Sequence, residues 1–147
     1  MKLSTKGRYG LRAIVDMAVF SNGELVSINS IAERQGISAN YLEQVFSSMR
    51  KAGLVKSVKG SQGGYSLTKS ISELTIGEII RALEGEISIV SEVTDGEHEG
   101  SIQKVIKNSV WNKIDVQLNE IFDSITIKNL VEDYDKMNEK DNLMFYI

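Results

Sequence analysis

Residues 28–46 read INSIAERQGISANYLEQVF, and this stretch decides the fold. Two helices cross tightly through a short turn when a small residue stands where they touch and a glycine stands in the turn. Ala32 supplies the small residue, and Gly36 follows four positions later. Apolar residues flank both positions on the inward side: Ile31, Ile37, Leu42 and Val45. The spacing therefore predicts a helix-turn-helix.

The segments on either side extend this motif. Ser27 and Ser38 are suited to cap its two helices, which we expect over residues 27–35 and 38–52. Apolar residues at helical spacing predict a preceding helix over residues 5–21. Residues 54–58 alternate as a strand does, and residues 65–67 return as a second strand after a glycine-rich turn. The predicted fold class is mainly α (α+β), a winged helix-turn-helix with a two-stranded wing.

The second half of the chain predicts further helices. Thr75 and Glu78 have the spacing of a capping box, so a helix is expected over residues 76–84. Residues 91–100 are acidic and without a period, which favours an exposed loop. A long helix is expected over residues 101–125 and a shorter one over 126–136, before a polar C-terminal stretch.

These elements suggest a division of the chain into four parts. We expect a winged helix-turn-helix domain over residues 1–85 and an acidic loop over residues 86–100. Dimerisation helices are expected over residues 101–137, and a C-terminal tail over residues 138–147.

Charge is distributed unevenly along the chain. The whole sequence has a net charge of −3. Residues 1–69 hold ten Lys and Arg against four Asp and Glu, a net charge of +6, and residues 70–147 hold seven against sixteen, a net charge of −9. A basic half joined to an acidic half indicates that the first half meets a polyanion.

Composition excludes several classes of protein. The chain has no cysteine, which excludes disulfides, thiolate zinc sites and cysteine-held iron–sulfur clusters. No apolar run approaches the ~20 residues of a membrane helix and no secretion signal is visible, so we expect a cytoplasmic protein without membrane contact. His98, the single histidine, stands between Glu97 and Glu99 and is interpreted as a solvated residue. Catalytic and metal-binding motifs are missing, so we expect no enzyme activity, no cofactor and no metal site.

The second helix of the motif is the candidate for reading DNA. Its outer side carries groups that donate to or accept from base edges in the major groove: Ser38, Asn40, Tyr41, Glu43 and Gln44. A merely solvated amphipathic helix is the alternative.

The wing tip and the first helix are candidates for gripping the DNA backbone. At the wing tip we expect contacts from Lys59, Ser61 and Gln62, with Lys59 at or in the minor groove. In the first helix the candidates are Lys6, Arg8, Tyr9 and Arg12. An ordinary hairpin turn and a solvated basic face remain the alternatives. Residues 60–63 also match the GXXG of an RNA-binding KH module, but strands rather than helices flank them here.

The long helix is the candidate dimer interface, because DNA readers of this type commonly bind two half-sites as dimers. Its interface positions are Ile106, Val110, Ile114, Leu118, Ile121 and Phe122. An intramolecular core helix is the alternative. The sequence thus leads to the hypothesis of a homodimeric regulator that binds double-stranded DNA, against a protein–protein adaptor that has lost DNA binding.

Four segments carry a resemblance to a known family: LSTKGRYGLRA at residues 3–13, YLEQ at 41–44, AGLVKSVKG at 52–60 and GGY at 63–65. The sequence is similar to the Rrf2 family over roughly residues 2–125. This resemblance implies a dimeric winged-helix regulator, with Lys59 where the family often has a wing arginine. Many relatives hold an iron–sulfur cluster through three cysteines in the loop that corresponds to residues 91–100, and this chain has none.

Within the family the chain resembles a cysteine-free branch of repressors of cysteine metabolism. That branch implies cysteine synthase, O-acetylserine (thiol)-lyase, as a partner. The expected contact is the C-terminal segment Phe145, Tyr146 and Ile147, whose isoleucine would offer a carboxylate and an apolar side chain to the enzyme's substrate pocket. Packing of this tail on its own domain is one alternative, and a different regulon with an unknown effector is another.

Overall fold

The computed structural model describes residues 2–90 and 100–145, Phe145 only in its backbone. The elements follow in the order α1 (Thr5–Phe20), α2 (Ile28–Gln35), α3 (Ala39–Lys51), β1 (Val55–Val58), β2 (Gly64–Leu67), α4 (Ile76–Glu84), α5 (Ser101–Ile106), a π-helical turn (Lys107–Trp111), α6 (Asn112–Ser124) and α7 (Ile127–Phe145). This order confirms the predicted mainly helical fold with a two-stranded wing. The predicted acidic loop at residues 91–100 lies outside the described residues except for Gly100.

The ends of the motif helices are set by the residues expected to cap them. Ser27 Oγ accepts from the Ser30 amide at 3.1 Å, and Ser38 Oγ accepts from the Tyr41 amide at 3.4 Å. Each hydroxyl thereby satisfies one of the free amides at a helix start. Gly36 ends α2 with φ of 65°, a left-handed conformation in which glycine is not strained.

The core lies between α1, α2, α3, the wing and α4. These elements and the segments that connect them contribute the buried side chains Ala13, Ile14, Met17, Ile31, Leu42, Val45, Phe46, Met49, Leu54, Val55, Leu74, Ile79 and Leu83. Ile127, at the start of α7, is fully buried in the same cluster. The first turn of α7 thus packs on the winged domain of its own chain.

The wing is attached to the helices at two places. Its strands pair antiparallel, with Val58 opposite Gly64. Val26, in the connection between α1 and α2, exchanges two backbone hydrogen bonds with Tyr65 of β2, at 2.8 and 2.9 Å. The Tyr65 ring also packs against Phe46 of α3, with ring centroids 4.7 Å apart. These contacts fix the wing relative to α3.

The last helix corrects the sequence prediction. A helix ending near residue 136 and followed by a polar tail was expected, whereas α7 continues to Phe145. Residues 137–145 read MNEKDNLMF, without glycine or proline and with several good helix formers, so nothing interrupts the helix. Thr126 and Asn129 start it reciprocally, each backbone amide donating to the other's side chain at 2.9 and 3.1 Å.

The long helix is continuous but contains a π-helical turn that the sequence did not predict. Its apolar residues recur every four positions: Ile102, Ile106, Val110, Ile114 and Leu118. In an α-helix four residues turn slightly more than a full circle, so such a row drifts by about 40° at each step. A π-helical turn has more residues per turn, and its position at Lys107–Trp111 takes up much of this drift. The apolar row therefore winds around the helix less than it would in an unbroken α-helix.

Candidate nucleic-acid interface

The outer face of α3 presents the polar side chains that the sequence analysis selected. Asn40, Glu43 and Gln44 are exposed, and they share a side of the helix because its apolar residues are buried on the other. Ser38 is exposed at the start of the helix, where its hydroxyl is used as the cap. The structure thus brings these predicted residues together over the first turns of α3.

The start of α1 lies beside the start of α3. Tyr9 and Tyr41 meet edge to face, with ring centroids 5.9 Å apart. The guanidinium groups of Arg8 and Arg12 lie 5.9 and 5.2 Å from the Tyr9 ring centroid, within the range of cation–π attraction. Lys6 is half-buried and Arg8 is exposed. This packing joins the basic end of α1 to the candidate reading face of α3.

Arg12 has a partner within the protein. Its Nη2 donates to the backbone oxygen of Gln35, the last residue of α2, at 2.7 Å. The sequence predicts a phosphate contact for this arginine. In the structure it also supports the C-terminal end of α2.

The residues predicted to contact DNA from the wing tip are exposed to solvent. Lys59, Ser61 and Gln62 are all exposed. Gly60 has φ of 118°, and its oxygen accepts from the Gly63 amide at 3.0 Å, which closes the turn. A groove separates this tip from the start of α2, and its lining includes Gln62, Ser27, Ser30 and Arg34.

A buried ion pair behind the motif was missed by the sequence analysis. Asp16 is 3% exposed, and its carboxylate accepts from Arg34 Nη2 at 2.7 Å and Nε at 3.0 Å. It also accepts from Gln35 Nε2 at 2.9 Å. Hydrogen bonding to Asp16 raises the pKa of Arg34 above its usual value. The available signal was an acidic residue among the inward-facing positions of α1, next to Met17.

A second polar cluster binds the long helix to the winged domain. Arg81 of α4 donates to both carboxylate oxygens of Asp123, at 2.7 and 3.0 Å, and to Asn119 Oδ1 at 2.6 Å. This hydrogen bonding lowers the pKa of Asp123 and raises that of Arg81. Asp115 accepts from the Ser88 hydroxyl at 2.7 Å and from the Ile89 amide at 2.9 Å.

The candidate dimer residues differ in their exposure. Ile106, Val110, Ile114 and Ile121 are between 39% and 55% exposed, and Leu118 and Phe122 are half-buried. Leu118 and Phe122 therefore also pack in part on their own chain, whereas the other four positions remain exposed. At the end of α7 Met144 is 76% exposed, whereas Tyr146, Ile147 and the side chain of Phe145 lie outside the described residues.

The fold and these surfaces are those of a winged helix-turn-helix transcription regulator, and known proteins identify its family. Residues 3–133 match the family described as Rrf2, iron-dependent transcriptional regulator. The chain therefore belongs to the Rrf2 family. It is a DNA-binding transcriptional regulator and not an enzyme, since its relatives are named as such regulators.

Individual relatives agree with this assignment. The chain is 41% identical over 147 residues to the HTH-type transcriptional regulator CymR of Bacillus subtilis, covering 100% of both proteins. It is 36% identical over 141 residues to the HTH-type transcriptional regulator IscR of Vibrio campbellii, covering 96% of this chain and 83% of the relative. A solved structure of CymR, described as the global cysteine regulator of B. subtilis, superimposes with a TM-score of 0.75 at 40% identity, covering 90% of this chain and 97% of that one.

Iron is part of the family's description, but the residues of this chain do not fit a cysteine-held cluster. Such clusters need thiolate ligands, and the chain has no cysteine. Across residues 2–90 and 100–145 no three His, Asp or Glu side chains gather as metal ligands would. Within the same residues, no helix is long and apolar enough to cross a membrane.

Proposed function

We propose that the chain is a homodimeric, sequence-specific repressor of cysteine and sulfur metabolism genes, acting in the cytoplasm where its DNA lies. The observation that carries the proposal is the joint surface of α1, α3 and the wing, which collects exposed amide, carboxylate and basic side chains on the half of the chain with net charge +6. The full-length match to a regulator described as the global cysteine regulator of B. subtilis supports the choice of genes.

In this proposal α3 enters the major groove and reads base edges. Amide side chains such as Asn40 and Gln44 pair well with adenine, which offers one donor and one acceptor. The Glu43 carboxylate can only accept when ionised, so it suits the amino group of cytosine. Tyr41 is held against Tyr9, which leaves its hydroxyl little freedom to search for a partner. Phosphate contacts from Lys6, Arg8, Lys59, Ser61 and Gln62 would fix the register of α3.

The homodimer follows from the two sides of the long helix. One side is bound to the chain's own α4 and to Ser88 and Ile89 through Arg81, Asp115 and Asp123. Ile106, Val110, Ile114 and Ile121 of the same helix remain exposed, and a row of apolar side chains of this kind is typical of a surface that another protein covers. A second copy covers it by two-fold symmetry and presents two α3 helices to half-sites about 34 Å apart.

Cysteine synthase is the proposed partner, through Phe145, Tyr146 and Ile147. Residues 135–144 of α7, which precede this segment in the chain, are exposed. An apolar segment that ends in an isoleucine carboxylate suits insertion into a pocket of another protein. Regulation of a different set of genes is the second candidate, favoured by the 36% identity to IscR.

Selection of genomic DNA fragments tests the proposed set of genes. The protein is incubated with fragments of its own genome at increasing salt, with and without cysteine synthase, and bound fragments are sequenced. We expect enrichment of promoters beside sulfur genes, weakening steeply with salt because several phosphates are neutralised, and changing when the enzyme is added. Enrichment of unrelated promoters would instead support the second candidate.

Substitution of Lys59 tests the wing. Lys59→Ala is expected to weaken binding to all duplexes alike and to reduce the slope of log affinity against log salt by about one, because one phosphate contact is lost. Fluorescence anisotropy across a salt series measures both quantities. Lys140→Ala removes an equal charge from an exposed position of α7 and serves as the control. Identical affinity and slope in Lys59→Ala and the unchanged protein would remove the wing from the interface.

Substitution of Ile114 tests the dimer. Ile114→Lys places a charge in the middle of the apolar row and should raise the dimer dissociation constant by about 100-fold or more, as expected for a central interface residue. Val116→Lys is the matched control, since Val116 is 54% exposed on the same helix but two residues away from the row. Sedimentation velocity across a concentration series distinguishes the variants. Dimers of equal strength in both would contradict the proposed interface.

Removal of the last two residues tests the partner. A variant lacking Tyr146 and Ile147 should lose its complex with cysteine synthase in calorimetry while keeping its dimer and its DNA affinity. The expected selectivity follows because neither residue belongs to the proposed dimer interface or to the proposed DNA contacts. A complex that persists in the shortened variant would show that the enzyme, if it binds, does so elsewhere.

A further inference from the structure

We propose that Asp16 is a positioning residue for DNA recognition, which sets the direction of α3 although it is itself buried. The inference rests on the DNA-binding function and assigns Asp16 no contact with DNA. Its side chain is fully enclosed between α1 and α2, so any effect on DNA must pass through the residues that it holds.

Asp16 is hydrogen-bonded to the last turn of α2, which leads directly into α3. It binds two consecutive residues, Arg34 and Gln35, in the last turn of α2. Gly36 and Ile37 follow, and Ser38 already caps α3. Because this connection is so short, a rotation of the last turn of α2 also rotates the first turn of α3. That turn begins the face of α3 that carries the side chains proposed to contact bases.

Apolar packing alone holds α2 weakly. The helix has eight residues and buries Ile31, with Ile28 and Ala32 packed partly against the core. A helix this short is marginal without tertiary contacts, and one buried side chain leaves rotation about its own position possible. The hydrogen bonds of Asp16 to the last turn of α2 restrict this rotation.

The geometry of the ion pair makes it directional. Arg34 presents Nε and Nη2 to the two oxygens of Asp16, and a paired contact of this kind fixes an angle as well as a distance. The guanidinium also lies 4.6 Å from the Phe20 ring centroid. Arg12 holds the Gln35 backbone oxygen from α1 as well. Three side chains of α1 thus converge on one turn of α2.

The test distinguishes an effect on the orientation of α3 from an effect on the stability of the fold or on the net charge of the chain. Asp16→Asn keeps the size of the side chain but loses the ion pair, and Arg34→Lys keeps the charge but loses the paired geometry. Asp135→Asn makes the same Asp-to-Asn change at an exposed position of α7, so it controls for the change in net charge. Each full-length variant is checked for folding by circular dichroism. Its affinity is then measured for the duplex most enriched from a random library by the unchanged protein, and for an unrelated duplex.

We expect Asp16→Asn and Arg34→Lys to lose about tenfold or more in affinity for the selected duplex, the loss that one misplaced base contact causes. Affinity for the unrelated duplex and the salt slope should stay as in Asp135→Asn, because no phosphate contact is removed. Equal losses on both duplexes, or no loss in a folded variant, would overturn the proposal. Should Asp16→Asn not fold, Arg34→Lys decides. If the unchanged protein selected no duplex at all, the proposed sequence-specific function would fail instead.

Discussion

Helices α2, α3, α4 and α7 all pack on α1, and the approach of α1 to α4 leaves no room for a Cβ at Gly10. A Cβ on Gly10 would collide with Leu83 of α4 and would lie 3.2 Å from Val45 of α3. A Cβ on Gly7 would meet the flexible Glu84 side chain, which can move aside. Gly10 therefore lets α1 pack closely against α4, beside the helix α3 that carries the candidate reading residues.

Aromatic and backbone contacts at the edge of the core connect the three parts of the candidate interface. Tyr9 against Tyr41 joins α1 to α3, and Phe46 against Tyr65 joins α3 to the wing. The Val26–Tyr65 backbone pairing joins the wing to the start of α2, and Gly64 permits it, since a Cβ there would lie 2.8 Å from the Val26 oxygen. Each contact uses a ring or a backbone group that leaves neighbouring polar side chains free to face outward. These contacts can therefore hold α1, α3 and the wing together while the polar side chains proposed to contact DNA stay exposed.

Local signals in the sequence were sufficient for the winged domain and insufficient for contacts between distant segments. Gly36 and the capping serines act on their immediate neighbours, so the helix bounds of the motif could be predicted closely. The end of α7 was misjudged because polar composition was taken for a tail, although helix propensity there is good. Asp16 was missed because its partners lie eighteen and nineteen positions away, beyond any local pattern.

The long helix over residues 101–124 carries both polar residues that attach it to its own chain and exposed apolar residues. Asp115, Asn119 and Asp123 stand four residues apart, and all three are hydrogen-bonded to α4 or to residues 87–89 that follow it. The apolar row that begins at Ile102 would wind further around the helix if the helix were α-helical throughout, because a four-residue spacing drifts in an α-helix. The π-helical turn at Lys107–Trp111 reduces this drift. The polar residues anchor the helix to its own chain, while Ile106, Val110 and Ile114 remain exposed for another surface to cover.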